Sequence, residues 1–241
     1  RLHIVEFRAF EKFIQGRPYW EVPVMVQRLC GICPVSHHLA ASKALDRVVG
    51  ALQPTPTADK IRRLMHYGQV MQSHALHFFH LSSPDLVFGF DSEVARRNIV
   101  GVAQAHPEIA RQGVVPGGVN KHVGEADRAL LQRDVAQVKV WAQGAVAIAK
   151  QLHAQNPALY ESFGRVPAHM LSLVRSDGAL DLYDGVIRAR DATGRILFDG
   201  ASDQGYLDLI EEEVKPWSYM KFPFLKALGR ERGWYRVGPL A

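Results

Sequence analysis

Cysteine is the scarcest residue of the chain. There are two in 241 residues, both in one stretch, Cys30-Gly31-Ile32-Cys33. So few cysteines exclude a disulfide framework, and their confinement to one tight motif favours a reducing compartment. Long apolar runs are missing as well: none approaches the roughly 20 residues that span a bilayer, and no secretory leader pattern precedes the first periodic segment. A cytoplasmic chain without a membrane span is therefore expected. Glycine forms neither Gly-x-Gly-x-x-Gly nor a Walker pattern, which argues against a phosphate cradle at Pro116-Gly117-Gly118-Val119-Asn120. The formal charge is +5, yet the basic residues are scattered among acids and form no stripe, so nucleic acid is not an expected partner. Internal repeats and low-complexity tracts are absent too. The sequence starts at Arg1, inside what reads as a strand, and stops at Ala241 without a helix end, so incompleteness at both ends is expected.

What is present gathers around Gln27-Arg28-Leu29-Cys30-Gly31-Ile32-Cys33-Pro34-Val35-Ser36-His37-His38. Pro34 suits the first position of a helix, which makes Cys33 the N-cap, where unpaired amides and the helix dipole favour a thiolate. Cys33 is accordingly the expected low-pKa thiol. His37 lies four residues on and shares its face, so its imidazole is expected within hydrogen-bonding reach of a sulfur. Arg28 adds a positive charge nearby. A redox dithiol, half of a structural zinc site, a thiolate clamp on a redox metal and plain core packing all remain open at this point.

Hydrophobic periodicity organises the rest. Alternation predicts a strand over Leu2 to Phe7, and Ala9 to Ile14 reads as a short helical turn. Helical spacing of Leu39, Leu45, Val48, Val49 and Leu52 runs from Pro34 until Pro54 and Pro56 close it. Thr55 or Thr57 caps a second helix to about Leu81, with Ile61, Leu64, Met65, Gly68, Met71, Ala75 and Phe78 on its core face. The neighbouring His66, His74, His77 and His80 have no acid or thiol beside them and are read as hydrogen-bonded core histidines. Ser92 caps a third helix through Gly113. Glu125 to Gln155 is the longest amphipathic run, its core face set by Leu131, Val135, Val138, Trp141, Ala145, Ile148 and Leu152. Past Pro157, a turn at Asp191 to Gly194 joins two short strands in a hairpin, and Ser202 or Asp203 caps an acidic helix through Val214. The expected fold is mainly α: a buried long-helix bundle with a small peripheral β element, in one domain over residues 1–241.

The motif Arg8-Ala9-Phe10-Glu11, then fifteen residues, then Gln27 to Cys33, resembles the first cysteine motif of the large subunit of nickel-iron hydrogenases, with Ala9 where that family has glycine. Gly16 to Pro23 and Gly238-Pro239-Leu240-Ala241 look most like the NAD-reducing bidirectional branch. The resemblance implies a nickel-iron dinuclear centre that cleaves dihydrogen heterolytically. It implies Cys30 as a terminal nickel ligand and Cys33 as a bridge between nickel and iron. It also implies His37 hydrogen-bonding a cysteine sulfur, Arg28 and Glu11 supporting the ligands and proton traffic, and Asp85, after Ser73 to Phe78, in the canopy over the metals. Expected partners are flavin/NAD diaphorase subunits, holding FMN and NAD, together with an iron-sulfur small subunit; iron-sulfur clusters are expected in these partners. The family's second Cys-x-x-Cys, its Arg-x-Glu-Gly-His motif and the canopy arginine do not occur in these residues. The longer basic stretch that the family places before its Pro-Gly-Gly is missing as well, so an interruption near residues 113–116 is expected. Two alternatives stand beside this reading: a metal-free structural subunit like the complex I relatives of the fold, and a thiol redox or half zinc-site protein.

Overall fold

The structure, a computed structural model, describes residues 10–82, 114–115, 118–119, 123–162, 165–218 and 220–237. The strand expected at Leu2 to Phe7, the helix from Ser92 to Gly113 and Asp85 lie outside the described residues. The chain divides into two compact units, Ala9–Leu130 and a second one built on Leu131–Ala241.

The first unit is helical. α1 (Phe10–Phe13) and α2 (Val22–Val26) are short, and α2 passes through a single 3-10 turn, Gln27–Leu29, into the cysteine motif. α3 (Pro34–Val48) starts where Pro34, lacking an N–H, occupies a position whose N–H would be unpaired anyway. α4 (Pro56–Leu76) has the same proline start, and the Thr55 hydroxyl caps it by accepting from the Ala58 amide at 3.3 Å. A π-helical turn, His77–Ser82, follows. β1 (Val114–Val115) and β2 (Gly118–Val119) form a two-residue antiparallel pair.

The faces that α3 and α4 bury are polar at their centres. α3 buries His38, Leu39, Ser42 and Asp46, while Val48 and Leu52, expected in the core, are exposed. α4 buries Ala58, Arg62 and Gln69, and its Leu64 and Met71 are exposed. On each helix the inward stripe is rotated from the one that apolar spacing predicts, because a buried ion pair sets the docking. Arg62, 1% exposed, donates to both oxygens of Asp46 at 2.6 and 3.0 Å. The expected core histidines are corrected as well. His74 and His77 are exposed; the His74 ring donates to the Val70 carbonyl at 2.7 Å and His77 lies against the Ser82 hydroxyl.

The second unit holds more β structure than a hairpin. α5 (Glu125–Gln155) leads to α6 (Pro157–Ser162), then β3 (His169–Val174), β4 (Val186–Arg190) and β5 (Ile196–Ala201). α7 (Tyr206–Leu209), β6 (Ile210–Glu213), β7 (Phe222–Leu225), α8 (Gly229–Arg232) and β8 (Tyr235–Arg236) complete it. One sheet has the order β5-β4-β3-β8, antiparallel except for the β3–β8 pair, and β6 pairs with β7. Ala189, Ile210 and Leu225 are its buried centre.

The hairpin lies where expected. The Asp191 carboxylate accepts from the Thr193 hydroxyl, the Thr193 amide and the Arg195 amide, and Gly194 takes φ 88°. The acidic helix does not reach Val214: it ends at Leu209, and Ile210–Glu213 is a strand because Ile210 pairs with Leu225 in the core. α5 is a helix as expected but has no buried residue, and Trp141 is 63% exposed. Its apolar face finds no cover among the described residues. No described helix is long and apolar enough to cross a membrane.

Candidate metal centre

The 3-10 turn after α2 leaves Cys30 in an extended conformation, and three residues later Cys33 becomes the N-cap of α3. This tight reversal turns the Cys33 amide back onto the Cys30 sulfur, to which it donates at 3.3 Å. His37 sits one helical turn into α3. The two sulfurs and a His37 ring nitrogen all lie within 4.8 Å of one another, and both thiols are free. Among the described residues no other group of His, Cys, Asp or Glu converges in this way. Cys30, Cys33 and His37 are half-buried, and Leu29 and Ile32 beside them expose apolar surface.

The order of acidity is the reverse of the expected one. The hydrogen bond from the Cys33 thiol, with help from backbone amides, holds the Cys30 thiol below its ordinary range. Cys33 is pushed up to about 11, by burial first and by its interaction with the Cys30 sulfur second. The N-cap position does not help it, because its side chain makes no capping hydrogen bond and its own amide serves Cys30. A dithiol of this kind carries its first negative charge on Cys30.

The remaining expected residues are less concentrated. Arg28 is exposed, and its guanidinium donates to the Val24 carbonyl at 3.0 Å, one turn back on α2. Glu11 stands exposed on α1 and is not one of the converging donors. Asp85 lies outside the described residues.

Two supports went unread in the sequence. The Gln27 amide contacts Nδ1 of buried His38 and ties the turn before Cys30 to α3. Gln69 of α4, 4% exposed, donates through Nε2 to the Ile32 carbonyl at 3.1 Å, inside the cysteine motif itself.

The donor set fits the metals that the cysteine motif implies: two soft thiolates with an imidazole alongside suit nickel and low-valent iron, though they supply only part of a dinuclear centre. Comparisons with known proteins agree. Residues 8–92 match the family model described as nickel-dependent hydrogenase. The whole chain is 42% identical to the NAD-reducing hydrogenase HoxS subunit beta of Cupriavidus necator, covering 56% of it. It is 39% identical, again along its whole length, to a vhu subunit of the F420-non-reducing hydrogenase of Methanocaldococcus jannaschii, covering 62% of that protein. Among solved structures, an NAD+-reducing [NiFe]-hydrogenase in the H2-reduced state aligns with 99% of this chain and 58% of its own, at TM-score 0.88 and 51% identity. The chain thus spans just over half the length of the relatives it matches. Residues 8–92 thus form a nickel-dependent hydrogenase domain, and the chain has the fold of a nickel-iron hydrogenase large subunit.

Proposed function

We propose that this chain is part of the catalytic large subunit of an NAD-coupled nickel-iron hydrogenase, which cleaves dihydrogen reversibly. The observation that carries the reading is the convergence of Cys30, Cys33 and His37 within 4.8 Å, in a sequence similar to hydrogenase subunits along its whole length. Cys30 and Cys33 would hold the centre by their thiolates, Cys30 as a terminal nickel ligand and Cys33 as the bridge to iron, with the further thiolates coming from outside these residues. Bound there, the metals would supply the Lewis acidity and electron exchange that heterolytic cleavage needs.

The chain's own groups handle charge and protons. The Cys33 amide stabilises negative charge on Cys30 Sγ, and in this reading His37, with a ring nitrogen within 4.8 Å of both sulfurs, would donate to one of them. In this reading Glu11 and Arg28 would support the ligands and proton traffic, and Asp85 would belong to the canopy over the open site. In this reading electrons would leave through an iron-sulfur small subunit to flavin and NAD subunits; the NAD-reducing relatives support the coupling to NAD. We read residues 1–241 as one large-subunit-like domain interrupted near residues 113–116. The match to HoxS subunit beta runs over 276 residues where this chain has 241, which supports an interruption within the matched stretch.

The test is metal analysis and hydrogen-dependent NAD reduction on the full-length protein expressed with its subunits. Nickel and iron in the wild type, with activity lowered at least about 100-fold in Cys30→Ser and in Cys33→Ser, are expected. Zinc alone would favour a structural site, and no metal would favour a structural subunit.

A further inference from the structure

The Ile32 carbonyl and the Cys33 amide belong to one peptide group, and the two are engaged on opposite sides. The carbonyl accepts from Gln69 Nε2 at 3.1 Å, and the amide donates to Cys30 Sγ at 3.3 Å. No cis peptide bond occurs among the described residues, so this group is trans and its C=O and N–H point in opposite directions. Gln69, Ile32, Cys33 and Cys30 therefore form one line of hydrogen bonds, running from a buried amide on α4 to a metal-binding sulfur.

The other atom of the Gln69 amide points to a specific role for its donor. Its Oε1 is buried without a hydrogen-bond partner among the described residues, a cost that an apolar side chain of similar size would avoid. What the amide supplies is a donor at one place, the Ile32 carbonyl. Withdrawing electron density from that carbonyl strengthens the N–H on the other side of the same group, and holding the carbonyl prevents the peptide from rotating its N–H away from the sulfur.

We propose that Gln69 is a positioning residue for the metal site: it orients and polarises the Ile32–Cys33 peptide so that an N–H is held on the Cys30 sulfur. This rests on Cys30 and Cys33 being metal ligands, as proposed above. Gln69 touches neither metal nor substrate and acts through the peptide group.

The test uses the full-length protein labelled with 15N-cysteine, nickel(II) alone as the probe, and two variants. Gln69→Met keeps length and bulk but has no donor. Gln69→Glu keeps the shape and donates only when protonated. Two quantities are read: exchange of the Cys33 amide hydrogen and the nickel dissociation constant. In Gln69→Met, exchange at Cys33 is expected to quicken about tenfold and nickel to bind about tenfold more weakly, with the melting temperature not lowered. Gln69→Glu is expected to behave like Gln69→Met at neutral pH and, measured against wild type at the same pH, to regain both properties as its carboxyl protonates. Wild-type exchange and affinity in Gln69→Met overturn the proposal. So does a loss of both that tracks loss of fold and shows no recovery with pH in Gln69→Glu, since packing alone would then explain it. The two readouts also separate this inference from the reading it rests on. A wild type that binds no nickel, while Cys33 exchange still depends on Gln69, overturns the hydrogenase reading and leaves the peptide-orienting role. Nickel bound equally by all three proteins, with Cys33 exchange unchanged, does the reverse.

Discussion

Cys30 and Cys33 differ in the chemistry of their sulfurs although they are three residues apart. A lowered pKa means more thiolate at any given pH, so near pH 8 the metal-free protein should be alkylated by iodoacetamide at Cys30 first. Cys33 should follow only as pH approaches about 11. Peptide mass spectrometry after brief treatment checks the order, and equal labelling would contradict it. That three donors converge was legible in the sequence, because residues four apart on a helix share a face and Cys33 caps the helix that carries His37. Which thiol ionises first was not, because it depends on which sulfur accepts the hydrogen bond between the two thiols and which is the more buried. The buried Asp46–Arg62 pair makes a second prediction at this scale. Arg62→Met leaves a carboxylate buried without its guanidinium and should cost about 3–5 kcal/mol, whereas Asp46→Leu combined with Arg62→Met should recover much of the loss. Denaturant titration of the three proteins measures both effects.

Helices α3 and α4 were readable at their ends and misread on their sides. Pro34, Thr55 and Pro56 act locally, through missing amides and a hydroxyl cap, and so mark starts without any tertiary context. The inward stripe is decided by the partner helix, and exposed Leu64 and Met71 show that apolar spacing can point away from it. β6 was misread for the same kind of reason: Glu211, Glu212 and Glu213 look helical, but Ile210 is held by Leu225 far along the chain. Two predictions belong here. In Gly233→Ala the new Cβ would lie 2.5 Å from the Leu225 carbonyl oxygen and 2.7 Å from that of Gly229, both backbone atoms, so the β7 end should be forced apart at a cost of about 1–3 kcal/mol. A lowered melting temperature with retained far-UV circular dichroism is the expected result. At the β4–β5 turn, the Thr193 hydroxyl first, with the Thr193 amide and Arg195, holds the Asp191 carboxyl well below the usual carboxylate range. A depressed folded-state pKa gives stability that is present above the unfolded value and lost as pH falls through the folded one. The melting difference between wild type and Asp191→Asn should therefore persist below pH 4 and close only in strong acid.

Over the whole molecule, apolar surface remains uncovered. Leu131, Val135 and Trp141 along α5 are exposed, so the chain expressed as these 241 residues should bind a hydrophobic dye. Replacing the three by serine should reduce the signal severalfold without lowering helix content. The fold class was legible because long periodic helices dominate the sequence, whereas the four-stranded sheet was not, since its β3–β8 edge pairs segments more than sixty residues apart. Dimensional accuracy has a separate origin. A slip of α3 along α4 by one residue would move their contacts by about 1.5 Å, more than a two-point guanidinium–carboxylate fit can absorb. The Asp46–Arg62 contact thus acts as a gauge block: a pair with no sulfur in it sets the tolerance to which the Ile32 carbonyl meets Gln69, and hence the accuracy with which two thiols are presented to a metal.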